Sequence, residues 1–305
     1  MSAYAVAALQ VVIAIALTPV LIGVMRQVRT RLEGRRGPGI GQPWRDLRKL
    51  LAKEPLRAAG ASWVLWLAPA ALIVSSLLVV ALIPLIATAS LPAVPADLFV
   101  VVSFLLIGTV ALALLGLDSG TAFGGMGSSR HMTIAALVEP TVLISVYALS
   151  VPAGSSSLPV IIASRLTNVS AVMSPAGLLA IVALFVVVLA ECGRLPVDNP
   201  ATHLELTMVH EAMILESGGR DLAWLELGSW LRLTALLGLV VNLAAPWGIA
   251  PDAAGLGLLV GVLAFTVKLL FAGAAIAAVE VFLAKLRLFR VPELLAGSFV
   301  MAFLA

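Results

Sequence analysis

The sequence predicts an all-α, polytopic membrane protein with about eight transmembrane helices and both termini on the non-cytoplasmic side. Three observations predict it. Of the 305 residues, 61% are hydrophobic and only 11% are charged, and the mean hydropathy is +1.12, far outside the usage of soluble domains. Apolar runs of roughly twenty residues recur along the chain, and each can cross a hydrocarbon core about 30 Å thick as a helix. The basic residues gather in alternate loops. A soluble fold with so many such runs would retain almost no polar surface.

Taken in order, the runs occupy 3–25, 63–87, 97–117, 131–153, 169–190, 227–247, 254–284 and 291–305. The first begins without a basic flank, so it is read as a retained helix and not as a cleaved signal. The loop after it carries ten basic residues against Glu33, Asp46 and Glu54, a net of +7. Odd-numbered loops hold 16 of the 19 Lys and Arg residues, and the even loops hold only Arg165. The odd loops therefore face the cytoplasm by the positive-inside rule. The seventh run is about 45 Å as a helix and must tilt or protrude, whereas the last is about 22 Å and ends inside the bilayer. The whole chain, 1–305, reads as one transmembrane domain with large cytoplasmic loops at 26–62 and 191–226. No repeat of matching halves is visible.

In the first loop, Gly37, Pro38, Gly39, Gly41 and Pro43 prevent a continuous helix. The following WRDLRKLLAK reads as a short amphipathic helix, with Leu47, Leu50 and Leu51 on one face. Two roles fit it: an interfacial helix held by anionic lipid, or a docking surface for a partner. The loop at 191–226 holds seven acids against Arg194 and Arg220, a net of −5. Pro196 and Pro200 bracket a turn at Val197-Asp198-Asn199, and Thr202 to Leu215 is predicted helical. That helix places His203 and His210 two turns apart on one face, with Glu205 and Glu216 nearly aligned. Zinc-type spacings are absent there, so no metal site is expected. Cys192 is the only cysteine; one thiolate cannot hold an iron–sulfur cluster, and it reads as a buried structural residue.

Glu139, Arg232, Lys268 and Glu280 lie inside spans. Each costs at least about 2.5–3.5 kcal/mol on insertion scales, and such residues mark ion paths. At 1.5 Å per residue, Glu139 lies about 12 Å, Arg232 about 8 Å and Glu280 about 6 Å from the cytoplasmic ends of their spans, with Lys268 near the midplane. The outer half of the spans has no ionisable residue, so the track reads as a half-channel opening inward.

Three motifs carry a resemblance. EGRRGPG at Glu33–Gly39, GMGSSR with AALVEP at Gly125–Pro140, and the Glu191, Arg194, Pro196, Asp198 pattern resemble the complex I component that frames the quinone chamber, the NADH dehydrogenase subunit 1 superfamily. RRGPGIGQPWRDLRKLL, PVDNPATHLELTMVHEAMILE and KLRLFRVPE are more similar to the membrane-anchor subunits of formate hydrogenlyase and related group-4 nickel–iron hydrogenases. The resemblance implies that hydrogenase large and small subunits and an iron–sulfur protein dock on the first and fifth loops. The docking residues it implies are Arg35, Arg36, Gly37, Pro38, Asp46, Lys49, Arg194, Asp198, His203 and His210. Antiporter-like membrane subunits would sit beside the chain, in membrane lipid; no nucleic acid is expected. The nickel–iron centre and clusters would belong to partner subunits, with no cofactor held by this chain and no catalysis by it alone.

Glu139, Arg232, Lys268, Glu280, Glu191, Glu205, Glu211 and Glu216 form the expected proton path. Ala201, His203 and His131 depart from the acids of the complex I pattern. Three other readings stand beside this one: a quinone-reactive subunit, a stand-alone cation/proton antiporter, and a scaffold whose buried charges only fix helix packing.

Overall fold

The structure, a computed structural model, describes residues 3–56, 60, 62–88, 96–198, 208–251, 255–283, 286 and 290–305. Its helices in chain order are α1 (Ala3–Leu32), α2 (Gln42–Leu51), α3 (Val64–Leu82), α4 (Leu98–Asp118), α5 (Ala122–Ser150), α6 (Leu158–Thr167), α7 (Val169–Val172), α8 (Pro175–Glu191), α9 (His210–Ile214), α10 (Gly219–Ala244), α11 (Gly255–Phe282) and α12 (Val291–Leu304). Six of them (α1, α3, α4, α5, α10 and α11) are long and apolar enough to cross a membrane. Two further expected spans, α8 and α12, are shorter at 17 and 14 residues. Both pack on α5 and on each other.

Several boundaries differ from the sequence reading. The fifth run is broken: Ser174 caps α8 by accepting the Gly177 amide at 3.0 Å, with Pro175 in the first turn, where a missing N–H costs nothing. The sixth span begins eight residues earlier than expected, so Arg220, Asp221 and Glu226 lie on α10 and not in a loop. Helix α1 likewise continues to Leu32 and carries Arg26, Arg29 and Arg31. Helix α6 has no counterpart among the expected elements. Of the helix expected at 202–215, α9 covers His210–Ile214; residues 199–207 lie outside the described residues. The turn nearby is closed by Val197 and Asp198 amides donating to the Arg194 carbonyl at 2.9 and 3.1 Å, earlier than the expected Val197–Asn199.

Backbone that leaves the helices at membrane depth must find partners within the protein. Around the end of α3, buried Gln10 of α1 donates to the Val80 and Ile83 carbonyls at 2.6 and 2.7 Å and accepts from the Leu85 amide at 3.1 Å. Asn242 of α10 donates to the Pro84 and Leu85 carbonyls at 3.1 and 3.0 Å. The Ala250 and Thr88 amides then bond the Ile86 and Ala250 carbonyls. At the opposite end, Gly23 lets the first loop close on α1: a Cβ there would lie 2.0 Å from the Ile40 carbonyl oxygen. Helix α10 is the hub, packing on α1, α2, α3, α8 and α11.

Candidate functional site

Where α1, α5, α8 and α10 approach the strongly basic face of the bundle, they enclose a cavity of about 670 Å³. Charged groups crowd its lining, which is otherwise mostly apolar: six carboxylates, five arginines, His131 and His210 face it. At its deep wall, Arg232 of α10 forms an ion pair with Glu191, the last residue of α8, and both side chains are almost wholly buried. The same guanidinium nitrogen, Nη2, donates to the Leu105 carbonyl at 2.8 Å and to Thr109 Oγ1 at 2.5 Å on α4. Gly108 leaves room for this approach, since a Cβ there would lie 3.2 Å from Arg232 Nη1 and 2.9 Å from Ser75 Oγ. Glu139 of α5 interacts with Glu191, Arg232 and the Thr109 side chain. Four helices thus bring Arg232, Glu191, Thr109 and Glu139 into one interacting cluster.

Three atoms around this cluster, Glu139 Oε1, Arg232 Nε and His131 Nε2, are buried without a protein partner. Buried polar atoms left open beside a polar cavity are where ordered water binds. On a second wall Arg194 pairs with Glu280 of α11 at 3.9 Å, Glu280 being buried. Buried Asp198 accepts the His210 amide at 3.3 Å. Nearer the mouth, Glu226 interacts with His210, Glu211 and Arg26, and the Arg26 guanidinium lies 5.8 Å from the Trp230 ring centroid and 3.4 Å from Asp46. Cys192 lines the cavity; burial, followed by the neighbouring Glu191 carboxylate, pushes its thiol up to about 12.

The structure therefore brings together Arg232, Glu191, Glu280, Glu211, Arg194, Asp198 and His210 around one cavity, with Arg35 and Pro38 at its mouth and Glu139 against the Arg232–Glu191 pair at its deep wall. Arg36, Lys49 and Glu216 are exposed and do not line it. Gly37 packs on α1, where a Cβ would lie 2.3 Å from Gln27 Oε1. Glu205 and His203 lie outside the described residues. Lys268 is elsewhere: its Nζ donates to the Ala245 carbonyl at 2.7 Å, just past the far end of α10, about 20 Å along the helix from Arg232. Lys268 itself lies at the middle of α11. Arg232 stands about 20 Å from the start of α10 because that helix begins eight residues before the expected span. Thr109 and Glu226 escape a reading of the sequence as site residues, and only their meeting with other helices reveals them. No group of three or more His, Cys, Asp or Glu side chains among the described residues is placed to hold a metal ion.

An all-α bundle of long apolar helices around a buried ion pair and a cavity lined by charged side chains defines a polytopic membrane protein. Over residues 4–305 the sequence matches the family model described as NADH dehydrogenase, and the chain belongs to that family. It is 33% identical over 243 residues to hydrogenase-4 component C of Escherichia coli (strain K12), covering 80% of this chain and 76% of that protein. It is 30% identical over 301 residues to formate hydrogenlyase subunit 4 of the same organism, covering 97% and 95%. An NADH-quinone oxidoreductase subunit of Geobacter metallireducens is 31% identical over 246 residues, covering 75% and 73%. Among solved structures, a chain of the membrane-bound sulfane sulfur reductase, an archaeal respiratory membrane complex, shares the fold: TM-score 0.81 at 18% identity, covering 98% of this chain and 99% of that one.

Proposed function

We propose that this chain is the membrane subunit of a complex-I-like hydrogenase of the formate hydrogenlyase type. In this reading its basic face is cytoplasmic and docks the nickel–iron and iron–sulfur arm, whose metal groups belong to partner subunits. The chain links electron transfer in that arm to proton or sodium-ion movement in the membrane. One observation carries the reading: the buried Glu191–Arg232 ion pair, with Glu139 near enough to interact with both charges, stands at a cavity lined by charged side chains. The two Escherichia coli relatives support the class of assembly.

The chemistry follows from the shared cation. Two carboxylates that interact with each other and with one guanidinium have linked proton occupancy, so the pair and not either residue alone is the acid. Charge arriving at a redox group docked over the cavity changes the potential at the pair, because low-dielectric surroundings screen it poorly. The proton count of the pair responds. Glu226, Glu211 and His210 connect the mouth to this deep wall, and the Arg194–Glu280 pair leads along the second wall toward α11. The onward step is sideways, into an antiporter-like neighbour.

The test is Glu139→Gln in the intact complex. Hydrogenase turnover in detergent is expected to be retained and ion coupling in sealed vesicles to be lost; coupling that survives overturns the role of Glu139. A second reading, a quinone chamber, is supported by the cavity volume of about 670 Å³ and by the NADH-quinone oxidoreductase relative. Inhibition of the intact complex by quinone-site ligands would decide for it.

A further inference from the structure

A second recess, of about 410 Å³, lies on the outside of the bundle between α1, α2 and the first turns of α10, and its wall is almost entirely apolar. Ile15 forms its deep end; Leu47, Leu51, Ala223 and Leu227 line it; Trp44 and Trp224 stand at its edges. Trp44, Leu51 and Trp224 are 43%, 39% and 40% exposed, so aromatic and aliphatic surface lies open along the recess. Ile15 precedes Arg26 by eleven residues on α1, so the groove descends roughly 16 Å from the basic boundary into the membrane. Its upper rim carries Arg45 and Arg48. On α2, Trp44, Leu47 and Leu51 form one stripe, and Arg48 stands one turn beyond Trp44 at its edge.

The two arginines are not equivalent. Arg45 is held by the Pro38 carbonyl at 3.2 Å and by Gln42 Oε1 at 2.7 Å. Arg48 is exposed, and among the described residues no hydrogen bond or ion pair engages its guanidinium. An apolar slot at membrane depth, flanked by tryptophans at the interface and crowned by an open guanidinium, matches one chemistry: a hydrocarbon tail below a negatively charged phosphate. Guanidinium groups bind phosphate with paired N–H donors, tryptophans favour the headgroup level, and basic residues at the surface attract anionic lipid.

We propose that this groove is a binding site for one anionic phospholipid, its acyl chain lying along Ile15 and Leu227 and its phosphate on Arg48 and Arg45. This inference is independent of the proposed function, since the groove is separate from the polar cavity. The bound lipid would pin α2, and with it the first loop, against α1 and α10.

The test uses the intact complex in phosphatidylcholine vesicles containing a trace of phospholipid with a photoreactive acyl chain, either phosphatidylglycerol or phosphatidylcholine. Crosslinked peptides are mapped by mass spectrometry. The expected result is crosslinking within 15–27 or 223–227 that favours phosphatidylglycerol. That preference should fall roughly fivefold for each arginine removed in Arg45→Gln and Arg48→Gln. Arg31→Gln with Arg36→Gln, an equal loss of charge on residues that do not line the groove, should leave it unchanged. Leu227→Trp should abolish crosslinking with both lipids; should that variant fail to assemble, the arginine series still decides. Equal labelling by the two lipids, or an unchanged preference in the arginine variants, overturns the proposal. So does labelling seen only in the isolated chain, which would mean that a partner subunit covers the groove.

Discussion

Helices α10 and α11 pack side by side, and each carries one cation within its apolar stretch, Arg232 and Lys268. In the most apolar window of α10, 78% of the residues are buried within the chain; in α11 the share is 28%. Arg232 is surrounded by three other helices and meets a carboxylate, a hydroxyl and a carbonyl. Lys268 is half-buried and its long stem reaches a single carbonyl at a helix end. The comparison teaches that two charges inside spans can be settled in different ways: Arg232 is buried against a second titratable group, whereas the flexible stem of Lys268 reaches a helix terminus in a capping arrangement.

The most disruptive way to probe this difference is Arg232→Met. It leaves Glu191 buried without its partner, so the loss should be about 3–5 kcal/mol, read as a fall in thermal midpoint of the detergent-purified complex. Adding Glu191→Gln should restore much of that stability; a double variant as unstable as the single would show that the pair is not coupled. Next, Gly108→Val fills the space beside Arg232 Nη1 and Ser75 Oγ and should cost about 1–3 kcal/mol by overpacking. Lys268→Met is milder, below about 1.5 kcal/mol, because losing one hydrogen bond also removes the cost of desolvating the ammonium. Ion coupling should survive it, and a loss of coupling with unchanged stability would return Lys268 to the path. The smallest effect is chemical. With its thiol pushed up to about 12, Cys192 is protonated throughout the neutral range, so alkylation should be far slower than for a free cysteine and should accelerate as pH rises toward that value. Rapid labelling at neutral pH would contradict the enclosed setting.

Much of the fold was legible because hydropathy depends on composition over a whole window of helical turns, and the bilayer length filters it. The start of α10 was not legible. Arg220, Asp221 and Glu226 look like loop residues, yet they occupy its first two turns at the polar boundary. The break at Ser174 was hidden by apolar residues on both sides. Glu139 and Arg232 stood out as ionisable residues in apolar runs, but their meeting with Glu191 depends on how α4, α5, α8 and α10 pack. Thr109 is neutral and gives no signal in hydropathy or charge, although it touches every member of the cluster. The partner of Lys268 was not legible either: the position of its Cα fixes the ammonium only to within the reach of a four-carbon stem.

The central claim is that the carboxylate pair at Arg232 takes up or releases a proton when the docked arm is reduced. A redox-induced infrared difference spectrum of the intact complex measures this directly in the carboxylic acid C=O stretching region. The account predicts a reduction-dependent carboxylic acid band that is absent in Glu139→Gln and persists in Lys268→Met. A spectrum with no such band, or one unchanged by Glu139→Gln, would contradict it.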